Sequence, residues 1–412
     1  MAGVSLGPDA SATPSSSSSS SSLSLASRLV HADSKISVHR AVAPAMHVST
    51  TFRYHDDPNQ LIRLSNIDET APQDSHVYSR VSNPNSTRLE AVLSSILGGP
   101  ALTYTSGLSA FHALLVHLNP RRIAIGGGYH GCHGVIRLVS RLTGLKQLDL
   151  DCDDSELGPG DVVHVETPLN PSGEARNLLA YAEKARRVGA YLSVDATFGP
   201  PPLQDPFLQG ADIVMHSGTK YFGGHSDMLC GVLAVNPKHA DWAAQLAQDR
   251  LLLGSVMGSL EGWLGVRSLR TLELRVTQQS KTAAALVSWL AGELKDPSST
   301  VATCVQSIQH ASLQEGAAEE DSWLRKQMPG GYGPVFSIVM KNQDYAKSLP
   351  SKLHLFHHAT SLGGVESLIE WRAMSDTTVD PCLLRVSIGV EGMEDLKQDI
   401  QQALEALQTQ VA

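Results

Sequence analysis

The chain has 412 residues, 42% of them hydrophobic and 18% charged, with a formal net charge of −9. That length supports two or three domains with a sizeable core, and an acidic balance without any basic block argues against a nucleic-acid or anionic-membrane surface. Five cysteines, at 132, 152, 230, 304 and 382, are scattered without C-x-x-C spacing, so neither a disulfide framework nor a zinc knuckle is expected, and a reducing, cytoplasmic compartment fits.

The serine run at 15–22 lies in a segment too poor in apolar side chains to bury surface, so residues 1–30 are expected to form a disordered tail. That tail has neither the charged n-region nor the apolar h-region of a secretory signal. The longest nearly apolar run, 251–266, is too short for a membrane span and contains Glu261. Residues 31–86 read as an extended, turn-rich N-terminal arm, with a short helix within 58–73. With Thr87 as the expected N-cap, Leu89, Val92, Leu93, Ile96 and Leu97 then give a helical stripe that stops at Gly98 and Gly99.

From there strand-like runs at 101–105, 121–125, 145–150, 162–166, 191–194, 213–215 and 229–235 alternate with helical patterns at 108–117, 135–142 and 178–188. Alternation on this scale predicts an α/β domain over 87–265 with a mostly parallel sheet of seven strands. Such sheets take ligands at the carboxyl ends of their strands. A long helical pattern at 260–294 leads into a smaller C-terminal α+β domain, 266–412, with an acidic polar stretch at 314–327, strands at 335–339 and 383–388, and a final helix at 394–407.

Polar residues collect where the apolar runs stop. Lys220 follows the strand at 213–215 by way of hydroxyls and is followed closely by two glycines, in I-V-M-H-S-G-T-K-Y-F-G-G. Desolvation disfavours an ammonium, and a neutral amine can form a Schiff base with a carbonyl. Lys220 is therefore the candidate anchor for pyridoxal phosphate, the alternative being an ordinary surface lysine. Asp195 closes Y-L-S-V-D, where a carboxylate can keep a pyridine nitrogen protonated and make the ring an electron sink. Thr105-Ser106-Gly107-Leu108 joins a strand to a helix whose N-terminus suits a phosphate, and Ser217 and Thr219 can add hydroxyls. Tyr129, after I-A-I-G-G-G, can stack on a ring. Arg385, in L-L-R-V-S-I, can clamp a carboxylate at two points.

One competing pattern lies in the same chain. Gly126, Gly128 and Gly131 match G-x-G-x-x-G after a strand, and Asp149 follows 18 residues beyond Gly131, the layout of a dinucleotide fingerprint and hence of an NAD-dependent oxidoreductase. His130, Cys132, His133, His216 and His225 lack the usual zinc spacing, so no metal is expected. No G-x-S-x-G elbow is present to suggest a serine hydrolase.

Seven ordered motifs decide the reading: Y-S-R-V-S-N-P at 78–84, T-S-G-L at 105–108, E-T-P-L-N-P at 166–171, V-D-A-T-F at 194–198, H-S-G-T-K-Y at 216–221, S-L-G-G-V-E-S-L at 361–368 and L-R-V-S-I-G at 384–389. Together they resemble the Cys/Met-metabolism (trans-sulfuration) family of pyridoxal-phosphate enzymes, which includes cystathionine γ-synthase, cystathionine γ-lyase and methionine γ-lyase. The resemblance implies the fold-type I, aspartate-aminotransferase-like architecture. It implies that Lys220 binds the cofactor and shuttles protons, with Tyr129 stacked on the ring and sharing the catalytic site, and that Asp195 pairs the ring nitrogen. Gly107, Leu108, Thr197, Ser217 and Thr219 would complete the cofactor site, joined by Tyr78 and Arg80 of a neighbouring subunit. Arg385, with Asn170 and Ser361, would bind the substrate carboxylate, and the assembly would be a homotetramer of dimers that share active sites.

Two departures bear on the substrate. This chain reads Y-H-G-C-H-G at 129–134 where many members have Y-G-G-T, and Thr360 precedes S-L-G-G where cystathionine-handling members often have glutamate. The activity expected is γ-replacement on an O-activated homoserine, the alternatives being γ-elimination and a catalytically silent member.

Overall fold

Seven short strands form the larger sheet of the computed structural model, which describes residues 23–36, 41–63, 66 and 76–409. They are β1 (Ala101–Tyr104), β2 (Arg122–Ile125), β3 (Lys146–Asp149), β4 (Val162–Glu166), β5 (Tyr191–Asp195), β6 (Ile213–Ser217) and β7 (Gly231–Val235), in the order β1-β7-β6-β5-β4-β2-β3. The run from β6 to β3 is parallel, and β7 is antiparallel to both its neighbours. Central strands of such a sheet are covered on both faces, which explains why V-V-H-V-E of β4 and G-V-L-A-V of β7 are buried at every position. The edge strand β3, K-Q-L-D, is mostly exposed, and its charges blunt that edge.

Helix α1 spans Leu25–His31 and α2 Pro84–Leu97. Helices α3 (Gly107–Leu118), α4 (His130–Thr143) and α5 (Leu178–Val188) follow β1, β2 and β4; α3 packs on β6 and β7, and α5 on β4 and β5. Next come α6 (Trp242–Leu253), α7 (Ser259–Leu269) and α8 (Leu272–Glu293). The smaller sheet holds β8 (Val305–Gln309), β9 (Val335–Met340), β10 (His357–His358), β11 (Leu368–Trp371) and β12 (Leu383–Ser387) in the order β10-β11-β12-β9-β8. Leu286 and Leu290 of α8, Phe336 and Ile338 of β9, Leu384 and Val386 of β12, and Leu404 of the terminal helix Met393–Thr409 form its core. No helix among the described residues is long and apolar enough to cross a membrane.

Several boundaries differ from the sequence expectation for identifiable reasons. Thr87 is not the cap of α2: Asn83 is, its Oδ1 accepting the N–H groups of Asn85 and Ser86 at 3.0 Å each. Pro84 sits at the first helical position, where a missing N–H costs nothing. Helix α4 begins at His130 rather than 135, because Gly131 and Gly134 interrupt the apolar pattern without breaking the helix. The single helix expected at 260–294 is two, parted at Arg270 and Thr271. Of residues 58–73 the structure describes 58–63 and 66, with a single turn at Pro58–Gln60.

The expected disorder through residue 30 is also corrected from residue 23 onward; the serine run lies outside the described residues. Ser24 caps α1, and Leu29 is 1% exposed against the main core. Just beyond, the fully buried Asp33 bonds Arg88 Nε of α2 at 2.9 Å and Arg270 Nη2 at 2.6 Å. A short apolar helix followed by one carboxylate is enough to pin the segment, because both guanidiniums behind it need a counter-charge. Removing one partner of such a buried set leaves charge uncompensated. Asp33→Ala is accordingly expected to lose about 3 kcal/mol of unfolding free energy, read by urea denaturation; a loss below about 0.5 kcal/mol would contradict the pinning role.

Candidate active site

Strand β6 ends at Ser217 and the chain turns sharply through Lys220, because Gly223 N–H bonds the Gly218 carbonyl at 2.8 Å and Gly224 N–H the Lys220 carbonyl at 2.7 Å. Arg275 of α8 donates to the Tyr221 carbonyl at 2.9 Å and holds the turn from behind. From the other sheet's side, Gly363 (φ 80°) backs onto the same turn, where a Cβ would stand 3.0 Å from Tyr221 N and 3.1 Å from the Lys220 carbonyl carbon. The Lys220 amine donates to Ser361 Oγ at 2.8 Å. Burial lowers its pKa to about 8, helped by the nearby Arg385 charge and opposed by Glu370. At neutral pH roughly a tenth of such an amine is unprotonated, far more than of an ordinary lysine.

The amine faces a cavity of about 430 Å³ whose wall includes Gly107, Leu108, Tyr129, Asn170, Asp195, Thr197, Ser217, Thr219, Ser361 and Arg385. Asp195, at the end of β5, is 4% exposed and accepts Thr197 N–H at 3.0 Å and Thr197 Oγ1–H at 2.5 Å. Thr197 Oγ1 in turn accepts Ser217 N–H at 2.8 Å, which ties the ends of β5 and β6 together. Across the cavity α3 starts at Gly107, with Ser106 accepting Ser109 N–H. The first N–H groups of a helix have no intrahelical acceptor, so those of Gly107 and Leu108 are offered to the cavity mouth. Glycine at 107 permits a close approach, since a Cβ there would stand 3.1 Å from Ser217 Cβ. Thr219 lines the wall but spends its hydroxyl on the Cys230 backbone, at 3.0 Å to N and 3.3 Å to O.

Sequence reasoning missed a second strand-end carboxylate. Glu166 closes β4 as Asp195 closes β5, and the two are register partners in the ladder. Glu166 accepts N–H groups from Tyr129 and Asn170 at 2.7 Å each. Burial and the neighbouring Asp195 push its carboxyl pKa up, against those two donors. Burial likewise raises that of Asp195, against its bonds to Thr197. The readable signal was the shared pattern of an apolar strand ending in an acid. Burial, with Asp195 and Glu166 nearby, drives the Cys132 thiol well above its usual pKa, so it stays protonated. Tyr129 is about one-third exposed, and burial raises its phenol, which keeps it neutral.

This geometry overturns the dinucleotide reading of Gly126, Gly128 and Gly131. The Gly128 backbone lies against the Glu166 carboxyl, with a Cβ there 2.5 Å from Oε2, and Gly131 is packed under the Tyr129 ring. A carboxyl group stands where a pyrophosphate would need donors.

Arg385, too, differs from a free two-point clamp. Its Nη1 bonds Asn170 Oδ1 at 3.1 Å, and its Nη2 bonds the Ser361 carbonyl at 3.0 Å and Glu370 Oε2 at 2.6 Å. Glu370 and Arg372 were not anticipated; for Glu370 the available sign was a charge inside the otherwise apolar run L-I-E-W. Tyr78 and Arg80 are exposed, with the Arg80 guanidinium 5.4 Å from the Tyr78 ring centroid, and neither is on the cavity wall of its own chain.

The donor set fits pyridoxal 5′-phosphate: an amine of lowered basicity for the aldehyde, a buried acid for the ring nitrogen and a helix end for the phosphate share one cavity. The architecture is that of the fold-type I pyridoxal-phosphate enzymes, with a large mixed sheet of seven strands and a smaller C-terminal sheet. The sequence matches the Cys/Met metabolism PLP-dependent enzyme family over residues 26–405, and the chain belongs to that family of enzymes of sulfur amino-acid metabolism, with pyridoxal phosphate as cofactor. It is 31% identical over 348 residues to the cystathionine γ-lyase of Bacillus subtilis, covering 80% of this chain and 88% of that one. It is 34% identical over 348 residues to the cystathionine γ-synthase of Mycobacterium tuberculosis, covering 79% and 86%. The crystal structure of metB from Corynebacterium glutamicum superposes with a TM-score of 0.82 at 27% identity, covering 94% of this chain and 99% of that one.

The buried acid pair has a pH signature. Glu166 keeps its proton in the folded chain above the pH at which the unfolded chain releases it, so the stability it contributes is complete below the ordinary value of about 4.5 and is lost as pH rises through the raised folded value. The melting temperature of the cofactor-free protein should therefore fall from pH 5 to pH 9, and Glu166→Gln should flatten that fall and raise Tm most at the alkaline end. Parallel melting profiles for the two proteins would contradict the assignment.

Proposed function

We propose that the chain catalyses γ-replacement on an O-activated homoserine, in the manner of a cystathionine γ-synthase, with Lys220 as the proton carrier. The observation that carries this is the Lys220 amine, lowered to about 8 and hydrogen-bonded to Ser361 across the two sheets. An amine near neutral pKa can take the substrate's α-proton and return it later, and Ser361 Oγ orients its lone pair toward the cavity. When bound, pyridoxal phosphate supplies the electron sink that stabilises the α-carbanion. Asp195 stands ready to hold the ring nitrogen's proton, and Thr197 fixes that carboxyl from two sides. Gly107, Leu108 and Ser217 receive the phosphate, Thr219 shapes that end of the wall, and Tyr129 covers the ring. Asn170 and Arg385 receive the substrate's α-carboxylate.

The exposed Tyr78 and Arg80 serve the phosphate of a neighbouring subunit, which makes the working unit a dimer and the expected assembly a homotetramer of two dimers. The γ-synthase relative, at 34% identity, supports replacement; the γ-lyase relative, at 31%, supports the second reading, γ-elimination.

Incubating the purified enzyme separately with O-acetylhomoserine, O-succinylhomoserine, cystathionine and methionine, with and without cysteine, separates the two by product mass. Replacement predicts cystathionine from an O-acylhomoserine and cysteine, with little 2-oxo acid. Dominant 2-oxobutyrate from cystathionine or methionine would overturn it in favour of elimination. Lys220→Ala should lower turnover by about 10³-fold.

A further inference from the structure

Strands β11 and β12 place two opposite charges in register, Glu370 against Arg385, inside a buried layer. Glu370 Oε2 accepts from Arg385 Nη2 at 2.6 Å and also from Arg372 Nη1 at 2.9 Å, while Oε1 accepts from Ser375 Oγ at 2.6 Å. The three charged side chains are each no more than 5% exposed, and Arg372 shares the wall of the same cavity. Arg372 also reaches Asp376 at 3.5 Å, and Asp376 stands 4.0 Å from His130 Nδ1.

This arrangement poses a problem for a substrate. On the reading that Arg385 receives the α-carboxylate, both Nη2 hydrogens are already committed, to Ser361 O and Glu370, and one Nη1 hydrogen goes to Asn170. The arriving carboxylate finds the second Nη1 hydrogen and the Nε–H, which has no partner among the described residues, but lies close to Glu370, a like charge in a water-poor site, where repulsion is strong. A second cation on Glu370 removes that conflict. We infer that Arg372 is a positioning residue: acting through Glu370, it neutralises the carboxylate that already occupies Arg385 and leaves the Arg385 charge available to the substrate. Glu370 then orients Arg385 without competing for it. Neither half of the pair serves this role alone.

A double-mutant cycle on the holoenzyme tests this, with L-norvaline, which has no γ-leaving group, and n-butylamine, the same skeleton without the carboxylate, as ligands. Affinity is read from the change in cofactor absorbance. Wild type should bind norvaline; failure there would overturn the α-amino-acid site itself, separately from Arg372. R372M should weaken norvaline about tenfold or more and leave butylamine unchanged, the scale of close buried charge pairs. It should also raise KM for O-acetylhomoserine more than it lowers kcat, and R372K, which keeps the charge, should recover part of the loss. E370Q, nearly isosteric, should tighten norvaline, and adding R372M to E370Q should change that affinity by less than about threefold relative to E370Q itself. Equal weakening of both ligands by R372M, additive effects in the double variant, or weaker norvaline binding in E370Q would overturn the inference. The E370Q result stands even if R372M folds poorly.

Discussion

One residue joins the chemistry of the two sheets. Ser361 has a left-handed backbone (φ 88°), a strained conformation for a non-glycine residue. In that conformation its hydroxyl accepts the Lys220 amine and its carbonyl accepts Arg385. The amine belongs to the turn after β6 of the large sheet and the guanidinium to β12 of the small one, so one backbone conformation sets both positions. The turn around Lys220 is fixed from two sides, by Arg275 and by the close approach of Gly363, which keeps the junction from relaxing. Site geometry therefore depends on the contact between the sheets as much as on either sheet alone.

Electrostatics divides the cavity into two halves with opposite logic. Behind the proposed ring position, Asp195 and Glu166 are adjacent acids with few charged partners, and burial raises both. A protonated pyridine nitrogen placed beside Asp195 would supply the counter-charge that this half lacks, so cofactor binding and carboxylate ionisation support each other. On the substrate side the charges are balanced before any ligand arrives, through Glu370, Arg372, Arg385 and Asp376. Cys132, unusual in sequence, belongs to the first half, and its burial makes it a packing group.

Much of this was legible in the sequence because it rests on local rules. Buried strands are mostly apolar runs, so β1, β2 and β4 to β7 were readable within a residue or two, and chemistry sits where such runs end, which led to Lys220 and Asp195. Gly107 was visible because a strand-to-helix joint needs close backbone approach there. Features set by distant partners were not legible. Helix α1 is ordered by a core and an ion pair formed with residues far along the chain. Strands β8, β10 and β11 are short and mixed in polarity, so alternation did not reveal them. Glu370 and Arg372 were passed over because nothing local shows that β11 pairs with the strand that carries Arg385.

The central claim is that Lys220 carries the cofactor, and it is tested most directly by reducing the purified holoenzyme with borohydride and mapping its peptides by mass. A single pyridoxyl-phosphate adduct on the peptide containing Lys220, absent after Lys220→Ala, is the expected result. A label on another lysine, such as the buried Lys184, or a cofactor that leaves no borohydride-stable adduct, would contradict it.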